Sequence, residues 1–116
     1  MFEIPQPKRI RKWESLFIVH PDRVEEKDQL YEKLKHIIRT HNGDLLKIEE
    51  WGLRKLAYPI QKKKQGYYVL IEFYGNATLP QELENYFRID ERVIRFIILK
   101  LEDRFNPEDQ ALQGGN

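Results

Sequence analysis

The sequence predicts an α+β fold of the ferredoxin-like βαββαβ type, a four-stranded antiparallel sheet with two helices on one face. Three observations lead there. Four apolar or aromatic runs of strand length alternate with two amphipathic stretches in the order β-α-β-β-α-β. Each amphipathic stretch serves as a crossover between strands. Such connections are right-handed, which brings both helices to the same face. The second and third strands are joined only by a basic turn, which makes them a hairpin.

The elements follow in order. Lys12 to His20 carries Trp13-Glu14-Ser15-Leu16-Phe17-Ile18-Val19, an aromatic and β-branched run that favours a strand. Pro21 blocks its continuation. Asp22 with Glu25 three residues on has the spacing of a capping box. Behind it Val24, Leu30, Tyr31, Leu34, Ile37, Ile38 and His41 recur close to the helical period, and Asn42-Gly43 supplies a left-handed stop. Residues 44–59 read as a second strand with a bulge or bend at Gly52. Residues 59–66 form the basic turn, and 67–74 the clearest strand of the chain. Thr78 with Gln81 predicts a second capping box before the short stripe Leu79, Leu83, Tyr86 and Phe87. After a turn at Asp90-Glu91, residues 92–101 form the last strand.

The domain organisation expected is an extended basic arm over 1–11, a ferredoxin-like domain over 12–101 and an acidic flexible tail over 102–116. With 41% hydrophobic residues the chain has the material for a core, so global disorder is excluded. No apolar run reaches the roughly 20 residues that cross a bilayer, so no membrane partner is expected. The absence of cysteine excludes disulfides and thiolate metal sites and is compatible with the cytoplasm. The net charge of +1 hides an asymmetry: the tail sets Arg104 against Glu102, Asp103, Glu108 and Asp109, leaving the body basic.

Enzyme chemistry finds no support in the residues, and no metal, cofactor or small-molecule substrate is expected. His20, His36 and His41 lack the i,i+4 spacing of a helical metal pair. The acidic pairs Glu49-Glu50 and Asp90-Glu91 are adjacent and point to opposite faces in extended chain. There is no Gly-rich phosphate loop and no nucleophile elbow. His41 reads as a capping or packing group at a helix end. Asn76-Ala77-Thr78 fits the glycosylation triplet but reads as a helix cap.

The sheet face away from the helices is the unusual feature. A half-exposed sheet alternates apolar and polar residues, but residues 16–19, 67–71 and 96–99 place large apolar groups on both faces. Either the terminal segments fold back across that face or a partner covers it. Basic residues fall where they could surround the sheet: Arg54 and Lys55 on the second strand, Lys62, Lys63 and Lys64 in the turn, and Arg88, Arg92 and Arg95 clustered near the fourth strand. Lys27, Lys33, Lys35 and Arg39 on the first helix are read as solvated charge.

Residues 51–60, Trp-Gly-Leu-Arg-Lys-Leu-Ala-Tyr-Pro-Ile, resemble the signature of the bacterial small-subunit ribosomal protein six family. Trp13-Glu14, Gln65-Gly66-Tyr67-Tyr68 and the stretch from Phe87 to Arg95 agree with the family in order and spacing, so the resemblance covers about residues 12–101. It implies a structural constituent of the small ribosomal subunit, cytoplasmic and non-enzymatic, working in translation. It further implies binding to the central domain of small-subunit ribosomal RNA together with ribosomal protein eighteen. Carried over by position, Arg54, Lys55, Arg88, Arg92 and Arg95 become RNA or interface contacts, and Tyr58 and Pro59 shape a strand end. The arm over 1–11 is longer than the family's. The alternative is an RNA recognition motif, which shares the element order. Gly66-Tyr67-Tyr68-Val69 lacks the small residue between the aromatics, and Gln65 stands where that motif has a basic residue.

Overall fold

The computed structural model describes residues 9–107, so most of the expected arm and tail lie outside the described residues. The elements are β1 (Arg11–Val19), a 3₁₀ segment (Pro21–Glu26), α1 (Lys27–Thr40), β2 (Asp44–Ile60), β3 (Lys63–Gly75), α2 (Leu79–Ile89) and β4 (Val93–Glu102). The strands lie in the order β2-β3-β1-β4 with every neighbouring pair antiparallel. This is the ferredoxin-like arrangement that the element order predicts.

The core lies between the sheet and the two helices. Leu30, Tyr31, Leu34 and Ile38 of α1 and Leu79, Leu83 and Phe87 of α2 meet Phe17, Val19, Val69, Ile71 and Phe73. Strand alternation selects this set: Trp13, Ser15, Phe17 and Val19 are the alternate residues of β1 that face the helices. Aromatic packing ties the layers, with Phe17 and Phe87 at 5.1 Å and Phe87 and Phe96 at 5.1 Å between ring centroids. Each such side chain contributes about 1.5–3 kcal/mol by leaving water. The buried polar group Ser15 is satisfied, its hydroxyl donating to the Ile97 carbonyl at 2.8 Å.

Both expected capping boxes fail to form. His20 takes the cap position ahead of Pro21, its Nδ1 accepting from the Asp22 N–H at 3.1 Å. Arg23 then leaves helical geometry (φ −124°, ψ 18°), and α1 starts only at Lys27, with no side-chain cap. The Asp22 carboxylate is turned instead to Lys63 Nζ at 2.7 Å. Thr78 does precede α2, but its N–H and hydroxyl both donate to Asn76 Oδ1, while Gln81 bonds Asn85. At the other end of α1 the stop is as expected: Asn42 adopts φ 61° and His41 Nδ1 lies 2.7 Å from the Ile37 carbonyl.

The expected basic turn over 59–66 is a correction of larger consequence. Only Gln61 and Lys62 turn, both at positive φ (51° and 64°), and Lys63, Lys64 and Gln65 already belong to β3. The hairpin therefore projects beyond β1, whose pairing with β3 ends at Val19 and Tyr67. Near its tip the β2–β3 ladder jumps from the pair Lys55 and Gln65 to the pair Ile60 and Lys63, so residues 56–59 loop out of register. Pro59 cannot donate to a ladder, which fits this irregular stretch of an edge strand. Leu56 turns inward and is buried. It approaches Gly66, where a Cβ would stand 2.2 Å from Ile18 Cγ2, so only glycine admits the contact.

Candidate nucleic-acid interface

The open face of the sheet is built from the other alternation. Leu16 and Ile18 of β1 pair across with Leu70 and Tyr68 of β3 and with Ile97 and Arg95 of β4. Ile97 and Leu99 remain about half exposed, at 52% and 48%. Among the described residues, terminal segments fold back over this face at one end. The Phe105 N–H donates to the Ile10 carbonyl at 2.7 Å, and the Phe105 ring packs 5.4 Å from Tyr74. Asp103 fastens this strap through Arg9 and Arg11, each at 3.3 Å. The rest of the open face has no such cover among the described residues.

At the opposite end the looped-out residues of β2 shape the surface. Tyr58 reaches across the sheet to Arg95 on β4, accepting a hydrogen bond from its guanidinium, which sits 5.1 Å over the phenol ring. A second arginine also sits over an aromatic ring. Register shifts between Glu50 and Gly52, leaving Trp51 and Gly52 both opposite Tyr68, and Gly52 takes up the bulge at φ 87°. Trp51 lies against Tyr68 with rings nearly parallel, 8° apart and 6.4 Å between centroids. The Arg54 guanidinium sits 5.2 Å over the indole. Sequence reading missed these aromatic seats; the bulge glycine was the one visible signal.

The eight basic candidates divide by partner. Lys63 is paired with Asp22, Arg88 with Glu84 on its own helix, and Arg92 with Asp90 at 2.8 Å. Arg54, Lys55, Lys62, Lys64 and Arg95 have no carboxylate within ion-pair distance among the described residues. Arg54 and Lys55 face opposite ways: Arg54 stands on the open face, whereas Lys55 lines a shallow groove with Pro21, Asp22, Lys63, Lys64 and Gln65.

The three arginines expected to cluster, Arg88, Arg92 and Arg95, are held by three different partners: Glu84, Asp90 and Tyr58. Arg92 is a turn-former. Its N–H, Nε and Nη2 all donate to Asp90, and Nη2 also reaches the Tyr86 hydroxyl at 3.3 Å. Burial raises the Asp90 carboxyl, but the bonds from Arg92 and Tyr86 outweigh it and hold the group down at about 2. The same pair raises Arg92 above its ordinary value, through the Asp90 hydrogen bond first. Burial and then Asp90 push Tyr86 up to about 12. With side-chain exposures of 13% and 9%, this ion pair belongs to the fold.

Among the described residues no group of three or more His, Asp or Glu is placed to hold a metal. No helix there is long and apolar enough to cross a membrane.

Comparison with known proteins bears on the whole of this region. The family described as Ribosomal protein S6 matches residues 12–100. A relative named Small ribosomal subunit protein bS6 from Syntrophobacter fumaroxidans is 44% identical over 103 residues, covering 88% of this chain and 70% of its own length. One of the same name from Caldanaerobacter subterraneus subsp. tengcongensis is 41% identical over 95 residues, covering 81% of this chain and all of its own. The crystal structure of 30S ribosomal protein S6 from Thermotoga maritima superposes with a TM-score of 0.72. It is 34% identical and covers 93% of this chain and 100% of its own.

Proposed function

The chain belongs to the Ribosomal protein S6 family, and from that premise we propose that it binds the central domain of small-subunit ribosomal RNA together with protein eighteen of that subunit. As a small-subunit protein of this family it is a structural component of the bacterial ribosome, in the cytoplasm, with no catalytic role. The observation that carries the RNA reading is the division of its cations. A phosphate backbone is attracted by charge that the protein has not already neutralised. Those cations, Arg54, Lys55, Lys62, Lys64 and Arg95, gather on the projecting hairpin and the open face beside it. Lys63, Arg88 and Arg92 are spent on neighbouring carboxylates and act at most at the margin.

The half-exposed Ile97 and Leu99, next to Leu16 and Leu70, suit a protein neighbour better than a polyanion, and protein eighteen is assigned to that part of the face. Filter binding to a central-domain RNA fragment, with and without protein eighteen, tests the proposal. Tight binding is expected only when both protein components are present. Equally tight binding of the chain alone to generic single-stranded RNA would favour the recognition-motif alternative.

A further inference from the structure

We propose that the row Tyr68–Trp51–Arg54 on the open face is a stacking seat for one unpaired RNA base, with Arg54 as its outermost member; this rests on the RNA role above and adds which part of the RNA is met. Tyr68 and the indole lie nearly parallel, and the Arg54 guanidinium sits over the indole. The row thus ends in the planar guanidinium of an exposed arginine. A base can add to it, because every base has a π-face and guanidinium planes stack on them.

Three features of the surroundings favour a base over a phosphate or a protein side chain. First, the seat is made by the bulge. Trp51 is the extra residue, and Gly52 beside it has no heavy atom within 4 Å of where a Cβ would stand, so the approach is open. Second, Glu49 lies on the same strand two residues before Trp51. Its carboxyl is held below the ordinary value by Lys47 first and also by the indole N–H. Paired with Lys47 at 3.1 Å, that carboxylate offers a phosphate nothing, but its remaining lone pairs accept from the exocyclic amino or ring N–H groups of a base edge. Third, Arg54 has no carboxylate partner among the described residues, and the hairpin lysines 62 and 64 likewise keep their charge, so a nucleic acid is drawn to this end of the sheet. An apolar protein segment would instead leave the Arg54 charge covered and unpaired.

The chain carries its own reporter. Of its two tryptophans, Trp13 is buried in the core at 4% exposure, so a ligand at this seat alters Trp51 emission alone. The experiment titrates the full chain at low salt with single-stranded oligoadenylate and with a duplex RNA of equal length. Fluorescence anisotropy of the labelled RNA reads binding, and tryptophan emission reads stacking. Oligoadenylate is expected to quench Trp51 and the duplex is not, since its bases are already stacked. Arg54→Lys keeps the charge but removes the plane, and should weaken oligoadenylate binding roughly five- to a hundredfold. Trp51→Phe should remove the quench while leaving the melting temperature near that of the parent.

Binding of oligoadenylate without quenching, equal quenching by the duplex, or an Arg54→Lys variant that binds like the parent would overturn the stacking seat. If the chain then still joins the central-domain RNA with protein eighteen, the proposed function stands. If it joins neither RNA, both fall. A Trp51 emission change produced by protein eighteen alone, with no further change on adding RNA, would give this seat to the protein and overturn the proposal.

Discussion

Phe17 and Ile18 are neighbours in β1, and each is buried, but by different means. Phe17 points into a layer closed by α1 and α2, where Phe87 and Phe96 complete its surroundings. Ile18 points to the open face and is buried there against Gly66 of the hairpin, between its strand partners Tyr68 and Arg95. Farther along the same open face, Ile97 and Leu99 have no cover of this kind. The helix side is therefore finished by the chain itself, and the open side is finished at two ends and left apolar between them. One face serves stability, and the other leaves large apolar side chains exposed.

Substitutions on the two faces should break in opposite ways. Phe73→Ala empties a fully buried position between Trp13 and the helices, and should cost about 3–5 kcal/mol of stability. Thermal or denaturant unfolding reads that loss, and RNA association at a temperature where the variant is folded should be little changed. Ile97→Asp, at a half-exposed position, should leave the melting temperature nearly unmoved while weakening pairing with protein eighteen at least tenfold. Equal loss of folding and pairing in the second variant would make the open face a core surface after all.

Arg92 sharpens the comparison because sequence placed it with the RNA contacts. Arg92→Ala leaves the buried Asp90 carboxylate without its cation, held only by the Tyr86 hydroxyl and the backbone N–H of residue 92, and should cost about 1–3 kcal/mol. Asp90, held at about 2 against an ordinary 3.8, adds stability that is complete above the ordinary value. That contribution is lost as the pH falls from near 4 toward 2. Comparing acid unfolding of the parent with Asp90→Asn checks this, since the variant should lose the part of the acid dependence that falls in that window. A smaller gain is expected at the hairpin tip. Replacing Gln61-Lys62 by Asn-Gly suits two positive-φ positions and should raise stability by about 1 kcal/mol, read from the denaturant midpoint.

Much of the fold was legible because it rests on periodicity. The strand and helix order, the common helix face and the positive-φ stop at Asn42 all follow from spacing and residue type. The capping boxes were not legible, because each candidate group found a nearer competitor. His20 displaced Asp22 as the cap, and Asn76 engaged the Thr78 hydroxyl. The hairpin's reach was misread because Lys63-Lys64-Gln65 has neither an apolar pattern nor strong strand propensity. It is strand by pairing with β2 alone. For the site, residue type identified the cations, but only three-dimensional pairing separates Arg54 and Arg95 on aromatic rings from Arg88 and Arg92 on carboxylates.

That separation is the central claim, and a salt titration tests it most directly. Binding to the central-domain RNA fragment is measured with protein eighteen present, across a range of ionic strength, for single alanine variants of Arg54, Lys62 and Lys64 and of Lys63 and Arg88. A cation that meets phosphate flattens the log–log slope by about 0.7–0.9 when removed. Lys62→Ala and Lys64→Ala should each show that change, and Lys63→Ala and Arg88→Ala should keep the parent slope. Arg54→Ala removes both an unpaired charge and a stacking plane, so it should lower affinity by more than its change of slope accounts for. A flattened slope for Lys63→Ala and Arg88→Ala together with an unchanged slope for Lys62→Ala and Lys64→Ala would contradict the account, because the RNA would then be held by the cations that this fold has already paired.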